Sequence, residues 1–583
     1  MYILGISCYY HDSSACLLKD GELVAASAEE RFSRIKHDFS FPYNAVKFCL
    51  EHEKIRGKDL DFVVFYEKPF LKFERIVKTI LSTYPKSWRL FNEAAVNWLK
   101  DKLWVKATIA EFLDISEDKI LFSEHHLSHA ASTFFCSPYK EAAILTVDGV
   151  GEWAAATLGI GKADWDGSSK NEIEILEEVR FPHSLGLLYS VFTAFLGFKI
   201  NNGEYKVMGL SSFGEPKYVD KIYEVVKINS DGSLKVNMKY FSYHYSTKYS
   251  FNRNFIKLFG RPRVPESKLI FSDTNIEDSE SRRFADIAAS IQKVTEDMVI
   301  KAANHLYRKT KLKKLCMAGG VALNCVANYK ILKETPFEDI FIQPSAGDGG
   351  GALGAALYVW HCMLGRPRRF ILNHAYWGKD YSLSDIQSFL DRKSVHYIKF
   401  NNERKLLNYV KEALVKQKIV GWFQGRFEWG PRALGNRSIL ADPRDSKMKD
   451  MINSKIKFRE PFRPFAPSVL YEYAGSIFDA EDIKNQYPFR FMQYSLPVKN
   501  NLIPAAVHID ETSRPQFVYK DANPLYYKLI GKFYEKTGIP ALLNTSFNLK
   551  GEPIVNSPLD AYNTFKKSGM DILVMENYII EKF

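Results

Sequence analysis

With 583 residues, 46% of them apolar and 25% charged, the chain is too long for one hydrophobic core and has the composition of ordinary globular domains. Seven cysteines (positions 8, 16, 49, 136, 316, 325 and 362) form no CxxC pair and are odd in number, which argues against a disulfide framework or zinc knuckle and suits a reducing cytoplasm. The formal net charge is +12, but no run of lysines or arginines carries it, so it suits small phosphorylated ligands as well as nucleic acid.

The opening YILGISCYYHDSSACLLKDGELVAASAEE reads as strand, polar turn, strand, glycine turn, strand. It has no basic leader, and nowhere do apolar residues approach eighteen in a row, so neither a signal peptide nor a membrane span is expected. His11 sits on the first turn, YYHDSS, where it suits either a general base or a plain hydrogen-bonding role. In SEHHLSHAAS, His125 and His129 are four residues apart and project from one face if the segment is helical. The run Ala142–Val147 is a buried strand by composition, and Asp148 ends it at a glycine-bearing turn. That strand and turn continue into AAATLGIG, repeating the opening arrangement, so the first part reads as an internally duplicated α/β fold with a loop from each half in a central cleft.

Residues 240–280 show no clean period and read as an irregular insertion. Residues 282–307 form a helix by periodicity, with Phe284, Ile287, Ile291, Val294, Met298 and Ala302 along one face. A strand, the pair Gly319–Gly320 and a helix beginning near Asn324 follow. Next comes PSAGDGGGALG, whose glycines flank Asp348 and permit close approach of a ligand, or tight packing of strand on helix. Two imidazoles and the Asp148 carboxylate make a mixed nitrogen and oxygen set suited to a divalent transition metal with open positions, and Asp348 is placed to complete it. Polar capping at a helix–strand junction is the plainer reading of an isolated HxxxH pair.

A boundary at 365–385 divides a first domain, 1–375, from a second α/β domain, 376–583. After residue 400 the chain carries 27 Lys and Arg against 20 Asp and Glu, compared with 53 against 48 before it. Arg426, Arg432, Arg437, Lys457, Arg459, Arg463 and Arg514 lie in Pro- and Gly-punctuated segments rather than at helical spacing. Arginine forks bind phosphate bidentately and lysine adds a point charge, with Asn544 and Ser546 able to hydrogen-bond further oxygens. A salt-bridge network around Glu428, Asp442 and Glu460 is the structural alternative. The tail from 538 reads as strand, loop, helix and strand.

Taken together, HDSSA (11–15), EERFSRIKHD (29–38), HHLSHA (125–130), GEYKVMGL (203–210), GGVALN (319–324), GPRALGNRSIL (430–440), REPFRPFAP (459–467) and LNTSFN (543–548) resemble the O-carbamoyltransferases of nodulation-factor and antibiotic biosynthesis, the tobramycin type included. The resemblance runs nearly end to end. It implies an actin/Hsp70-like first domain of the threonylcarbamoyl-transferase type and a YrdC-like second domain. It also implies two steps: carbamoyl phosphate and ATP (with Mg) give carbamoyl-adenylate, and the carbamoyl group then passes to a hydroxyl of a sugar-containing small molecule or glycan, releasing AMP. By the same resemblance His125, His129 and Asp348 are metal ligands, iron in the family, although the donor set also admits Mn, Co or Zn. Asp148 lies near the metal or acceptor, His11 is the base on the hydroxyl, and Lys36 contacts carbamoyl-adenylate. Arg432, Lys457, Arg463 and Arg514 contact carbamoyl phosphate, with Lys457 and Arg514 closest to the chemistry. Asn544 and Ser546 contact nucleotide, Gly320 and Asn324 flank the adenylate, and Glu204 borders the acceptor. A homodimer in the cytoplasm, without membrane or nucleic acid, fits the family. A transferase of the tRNA threonylcarbamoyladenosine type and a non-enzymatic nucleotide-binding scaffold are the alternatives.

Overall fold

The computed structural model describes residues 1–100, 102–168, 170–270, 278–480 and 482–582. Part of the irregular 240–280 stretch, residues 271–277, lies outside the described residues. The chain forms two compact units. One comprises Met1–Ala26 with Phe39–Ile371, the other Ser27–Asp38 with Leu372–Phe583.

The first unit holds two five-stranded sheets. Strands β1 (Tyr2–Ser7), β2 (Ser14–Lys19), β3 (Glu22–Ala28), β4 (Phe62–Phe65) and β5 (Ile120–Phe122) form a sheet in the order β3-β2-β1-β4-β5. Here β1 pairs antiparallel with β2 and parallel with β4, and β4 pairs parallel with β5. Strands β6 (Glu141–Val147), β7 (Ala154–Lys162), β8 (Glu172–Arg180), β9 (Lys314–Ala318) and β10 (Asp339–Phe341) form the second, in the order β8-β7-β6-β9-β10. Again the first strand pairs antiparallel with its successor and parallel with a later strand. One topology is thus built twice, as expected of the duplicated actin/Hsp70-like fold. The apolar run of β6 is buried from Ala142 to Val147, the burial that a central strand covered on both faces requires.

Helices connect and cover these sheets: α1 (Pro69–Thr83), α2 (Trp88–Lys100), α3 (His125–Phe134), α4 (Ser279–Thr310) and α5 (Gly351–Tyr358). The periodic stripe of α4 is buried throughout, and the helix runs three residues beyond its expected limits at each end. Its start is fixed by Asp278, whose carboxylate accepts from the backbone N–H of Glu280 and Ser281. Helices α3 and α5 approach backbone to backbone: a Cβ on Gly354 would stand 1.7 Å from the Ser128 carbonyl oxygen. Only glycine permits that spacing.

The second unit is built on an eight-stranded mixed sheet. Its strands are β11 (Ile398–Lys399), β12 (Val420–Phe423), β13 (Arg437–Ala441), β14 (Ala466–Leu470), β15 (Gln516–Val518), β16 (Ala541–Ser546), β17 (Ile572–Met575) and β18 (Tyr578–Glu581), in the order β11-β18-β17-β12-β13-β16-β14-β15. The final apolar stretch, expected as one strand, is a hairpin, because Glu576 takes φ 50° and turns the chain. A second departure is the segment 27–38, expected within the first domain. It packs with the second unit: Arg31 donates to the Gly430 carbonyl at 2.9 Å, and Arg34 to those of Ile554 and Pro553 at 2.7 and 2.9 Å.

Candidate functional site

Helix α3 presents His125 and His129 on one face, as the four-residue spacing requires, and their Nε2 atoms stand 3.1 Å apart. The turn after β6 brings Asp148 to 3.3 Å from His125 Nε2, and the turn before α5 brings Asp348 to 3.5 Å from His129 Nε2. One donor atom from each of the four lies within 4.8 Å of the others, and all four residues are buried. Asp148 is further fixed by the Gly320 N–H, which donates to its Oδ1 at 2.7 Å.

Both carboxylate oxygens of Asp348 are buried and accept no hydrogen bond, an arrangement too costly to keep unless a cation satisfies it. Two nitrogens and two carboxylates converging on one point are a fitting donor set for a divalent cation. Burial opposes charge on His125, yet Asp348, Asp148 and Glu67 hold it well above the usual histidine range. Burial likewise opposes charge on Asp148, and the two histidines hold it well below the carboxylate range. The cluster stores opposite charges that a bound cation would reorganise.

Residues without any motif surround this cluster. Glu67, just after β4, stands 3.7 Å from His125 Nδ1 and forms a buried ion pair with Lys72 at 2.6 Å. Although burial raises its pKa, Lys72 and His125 bring it down to about 2. Glu152 accepts from the His125 N–H at 3.1 Å and so caps α3. His126 points aside to Thr146 Oγ1 at 2.6 Å and the Ala154 carbonyl at 3.0 Å, and burial pushes it well below the usual histidine range, so it is a neutral structural residue. His11 hydrogen-bonds Asp12 at 3.0 Å and lies 3.7 Å from Asp348. Burial lowers its pKa, but Asp348 and Asp12 carry it up to about 10, not the neutrality that a base needs. Asn324 is engaged within the protein, capping Cys325–Glu334 and bonding Gln292. The Glu204 carboxylate accepts from Ser190 Oγ and from the Asn201 and Gly203 N–H groups, bracing the start of its own helix.

In the second unit Lys457 is buried, with its Nζ donating to the Ser546 carbonyl and, at 2.9 Å, to Asn548 Oδ1. Burial, aided by Arg459, Arg463 and Lys36, holds it well below the usual lysine range, so these four cations share one neighbourhood. Arg463 also lies 3.9 Å from Glu460. Asn544 donates to Ala433 O and Ser468 Oγ, while its own buried Oδ1 has no partner. Arg514 Nε is buried and without a partner, and Arg432 is half-buried. Two of the arginines read as recognition groups have a different duty. Arg437 lies on β13, buried, with Nη1 donating to the Gln424 and Asn436 carbonyls. Arg426 donates to the Gly378 and Trp377 carbonyls. Both are occupied in bracing loops. The suspected salt-bridge network is local: Glu428 collects the N–H groups of Leu434, Asn436 and Arg437, and Asp442 holds Arg444.

Among known proteins, the carbamoyltransferase N-terminus pattern matches residues 2–357 and the carbamoyltransferase C-terminus pattern matches 411–582. An uncharacterized protein of Synechocystis is 44% identical over 100% of this chain and 97% of its own length. Nodulation protein NolNO of Sinorhizobium fredii is 35% identical over 98% of this chain and 79% of its own. A 3'-hydroxymethylcephem-O-carbamoyltransferase of Amycolatopsis lactamdurans is 30% identical over 45% of this chain and 47% of that protein.

Proposed function

Since the chain belongs to the carbamoyltransferase family and is a transferase enzyme, we propose that it is an ATP-dependent O-carbamoyltransferase acting on a hydroxyl of a sugar-containing small molecule or glycan. A scaffold without catalysis is set aside by that membership. The observation that carries the reading is the buried His125, His129, Asp148 and Asp348 cluster with its unsatisfied carboxylate.

In the first step carbamoyl phosphate loses phosphate to water, and the resulting carbamate oxygen attacks the α-phosphorus of ATP, releasing pyrophosphate and forming carbamoyl-adenylate. Lys457, Arg463 and Arg514 of the second unit neutralise the phosphate oxygens, with Arg432 and Lys36 supporting them. The open Oδ1 of Asn544 and the Ser546 hydroxyl take nucleotide hydrogens. In the second step the acceptor hydroxyl oxygen bonds to the carbamoyl carbon, AMP leaves, and His11 holds the hydroxyl proton. His125, His129, Asp148 and Asp348 would hold a divalent cation, which supplies charge stabilisation to the carbamoyl oxygen or the departing phosphate. Sharing Asp348 with a cation also removes the main influence that raises His11.

The test is to supply cation-loaded protein with carbamoyl phosphate and ATP and to follow pyrophosphate and AMP. Pyrophosphate release that needs carbamoyl phosphate, and AMP release that needs an alcohol, are expected. Absence of both products across a panel of alcohols overturns the reading.

A further inference from the structure

The first unit contains a cavity of about 330 Å³ that no step above uses. Helices α1 and α2 supply one wall through Arg75, Ile76, Trp98 and neighbours, and Tyr10, Phe181 and Tyr243 supply much of the rest. Arg75 is the unusual member. It is only 7% exposed, its Nε is buried without a partner, and among the described residues no carboxylate or carbonyl accepts from its guanidinium. The Phe181 ring lies 4.7 Å from the guanidinium carbon, and Glu67 and Glu152 act on the charge electrostatically without accepting a hydrogen bond from it. Lys102 adds a second cation to the lining, while the acidic Glu93 is engaged by Thr247 at 2.6 Å.

A buried arginine is normally matched by a carboxylate or by carbonyls, because removing the charge from water without a partner is costly. Arg368, in the same unit, shows the ordinary solution: it donates to the carbonyls of Tyr139, Phe134, Phe135 and Ser137. Arg75 has the burial without the acceptors. Position adds a second indication. Tyr10 and Val150 line the cavity, and they adjoin His11 and the Asp148 turn, so the cavity opens beside the reacting groups.

We infer that this cavity is the acceptor site, and that the acceptor is a hydroxylated ring compound bearing an oxyanion, carboxylate or phosphate, which the Arg75 fork receives while Tyr10, Trp98, Phe181 and Tyr243 pack against the ring. This rests on the carbamoyltransfer reading for the name acceptor, but not for the anion preference itself. Flat aromatic walls with one charged anchor suit a sugar-like ring.

The experiment compares 4-nitrophenyl β-D-glucuronide, 4-nitrophenyl β-D-glucoside 6-phosphate and the neutral 4-nitrophenyl β-D-glucoside, first by calorimetric binding to the full protein without ATP or carbamoyl phosphate. An anionic glycoside should bind about 10- to 100-fold more tightly than the neutral one, the range of a charge-assisted hydrogen-bonded pair. Which anion binds more tightly distinguishes carboxylate from phosphate. In Arg75→Met the preference should fall to about onefold, and Arg75→Lys should restore part of it. Equal binding of neutral and anionic glycosides by the unaltered protein overturns the inference even if a variant fails to fold. So does an undiminished preference in folded Arg75→Met. Turnover is measured separately: Arg75-dependent binding without AMP release under any condition sinks the transferase reading and leaves the anion site, whereas AMP release with neutral alcohols alone sinks the anion site and leaves the transferase.

Discussion

The cluster around Asp348 and the basic loops around Lys457 handle buried charge in opposite ways. In the first unit the donor atoms face one another, and the Asp348 carboxylate is left without any hydrogen. In the second unit Lys457 is met by the protein's own carbonyls, at Ser546 and Asn548, although the buried Nε of Arg514 has no partner. An unsatisfied buried acid is what the proposed cation site requires. A cation already held by carbonyls is a positioned charge that an anion can visit and leave. Under the proposed function the contrast is between a permanent cation site and a turnover site within one chain.

Removing one member of the permanent site is the harshest test of this contrast. His125→Ala should lose its stoichiometric cation, measured by elemental analysis, and lower carbamoyl transfer by at least about 10²–10³-fold. Pyrophosphate release dependent on carbamoyl phosphate should continue. Loss of both reactions in a folded variant would show that the two regions do not divide the work. Arg514→Ala should do the reverse, cutting pyrophosphate release by about 10²-fold while transfer from supplied carbamoyl-adenylate persists.

Glu67→Gln should have a mixed effect. It weakens the orientation of His125, lowering cation affinity by about 10–100-fold in a metal titration. It also leaves Lys72 unpaired, which costs about 3–5 kcal/mol in denaturant unfolding. The folded carboxyl value of Glu67 is depressed from 4.5 to about 2, so its stabilisation is complete above the ordinary value and is lost as pH falls through about 2. The difference in stability between the two proteins should narrow over that window.

The smallest effect concerns a proton. Lys457 is held below the ordinary 10.5, so a visiting anion raises it and phosphate binding takes up protons. Affinity for inorganic phosphate should therefore fall as pH rises toward the ordinary lysine value, and calorimetry in buffers of different ionisation heat should show the uptake. Lys457→Met should abolish the uptake.

What the sequence disclosed was local. His125 and His129 are legible because a helix converts their spacing into a shared face, and α4 is legible because its apolar stripe has the helical period. Asp348 and Asp148 are legible from glycine turns at strand ends. Glu67 and Arg75 are not, since each gains its meaning from burial against partners distant in sequence. Arg437 was misleading for the same reason: a strand position pointing into loop carbonyls has no signature in composition. The segment 27–38 leaves the first unit through bonds from Arg31 and Arg34 to carbonyls some 400 to 520 residues onward, which no spacing announces.

The absence of a side chain at Gly354 has a consequence for the ligands of the cluster. The α3 turn bearing His129 touches α5 through main chain there, and Asp348 lies on the turn leading into α5, so the gap between imidazole and carboxylate is machined by backbone thickness rather than by any adjustable side chain. One methyl group inserted at this point would pry the jaws apart from a distance, leaving every residue of the cluster intact and the grip on the proposed ion spoiled.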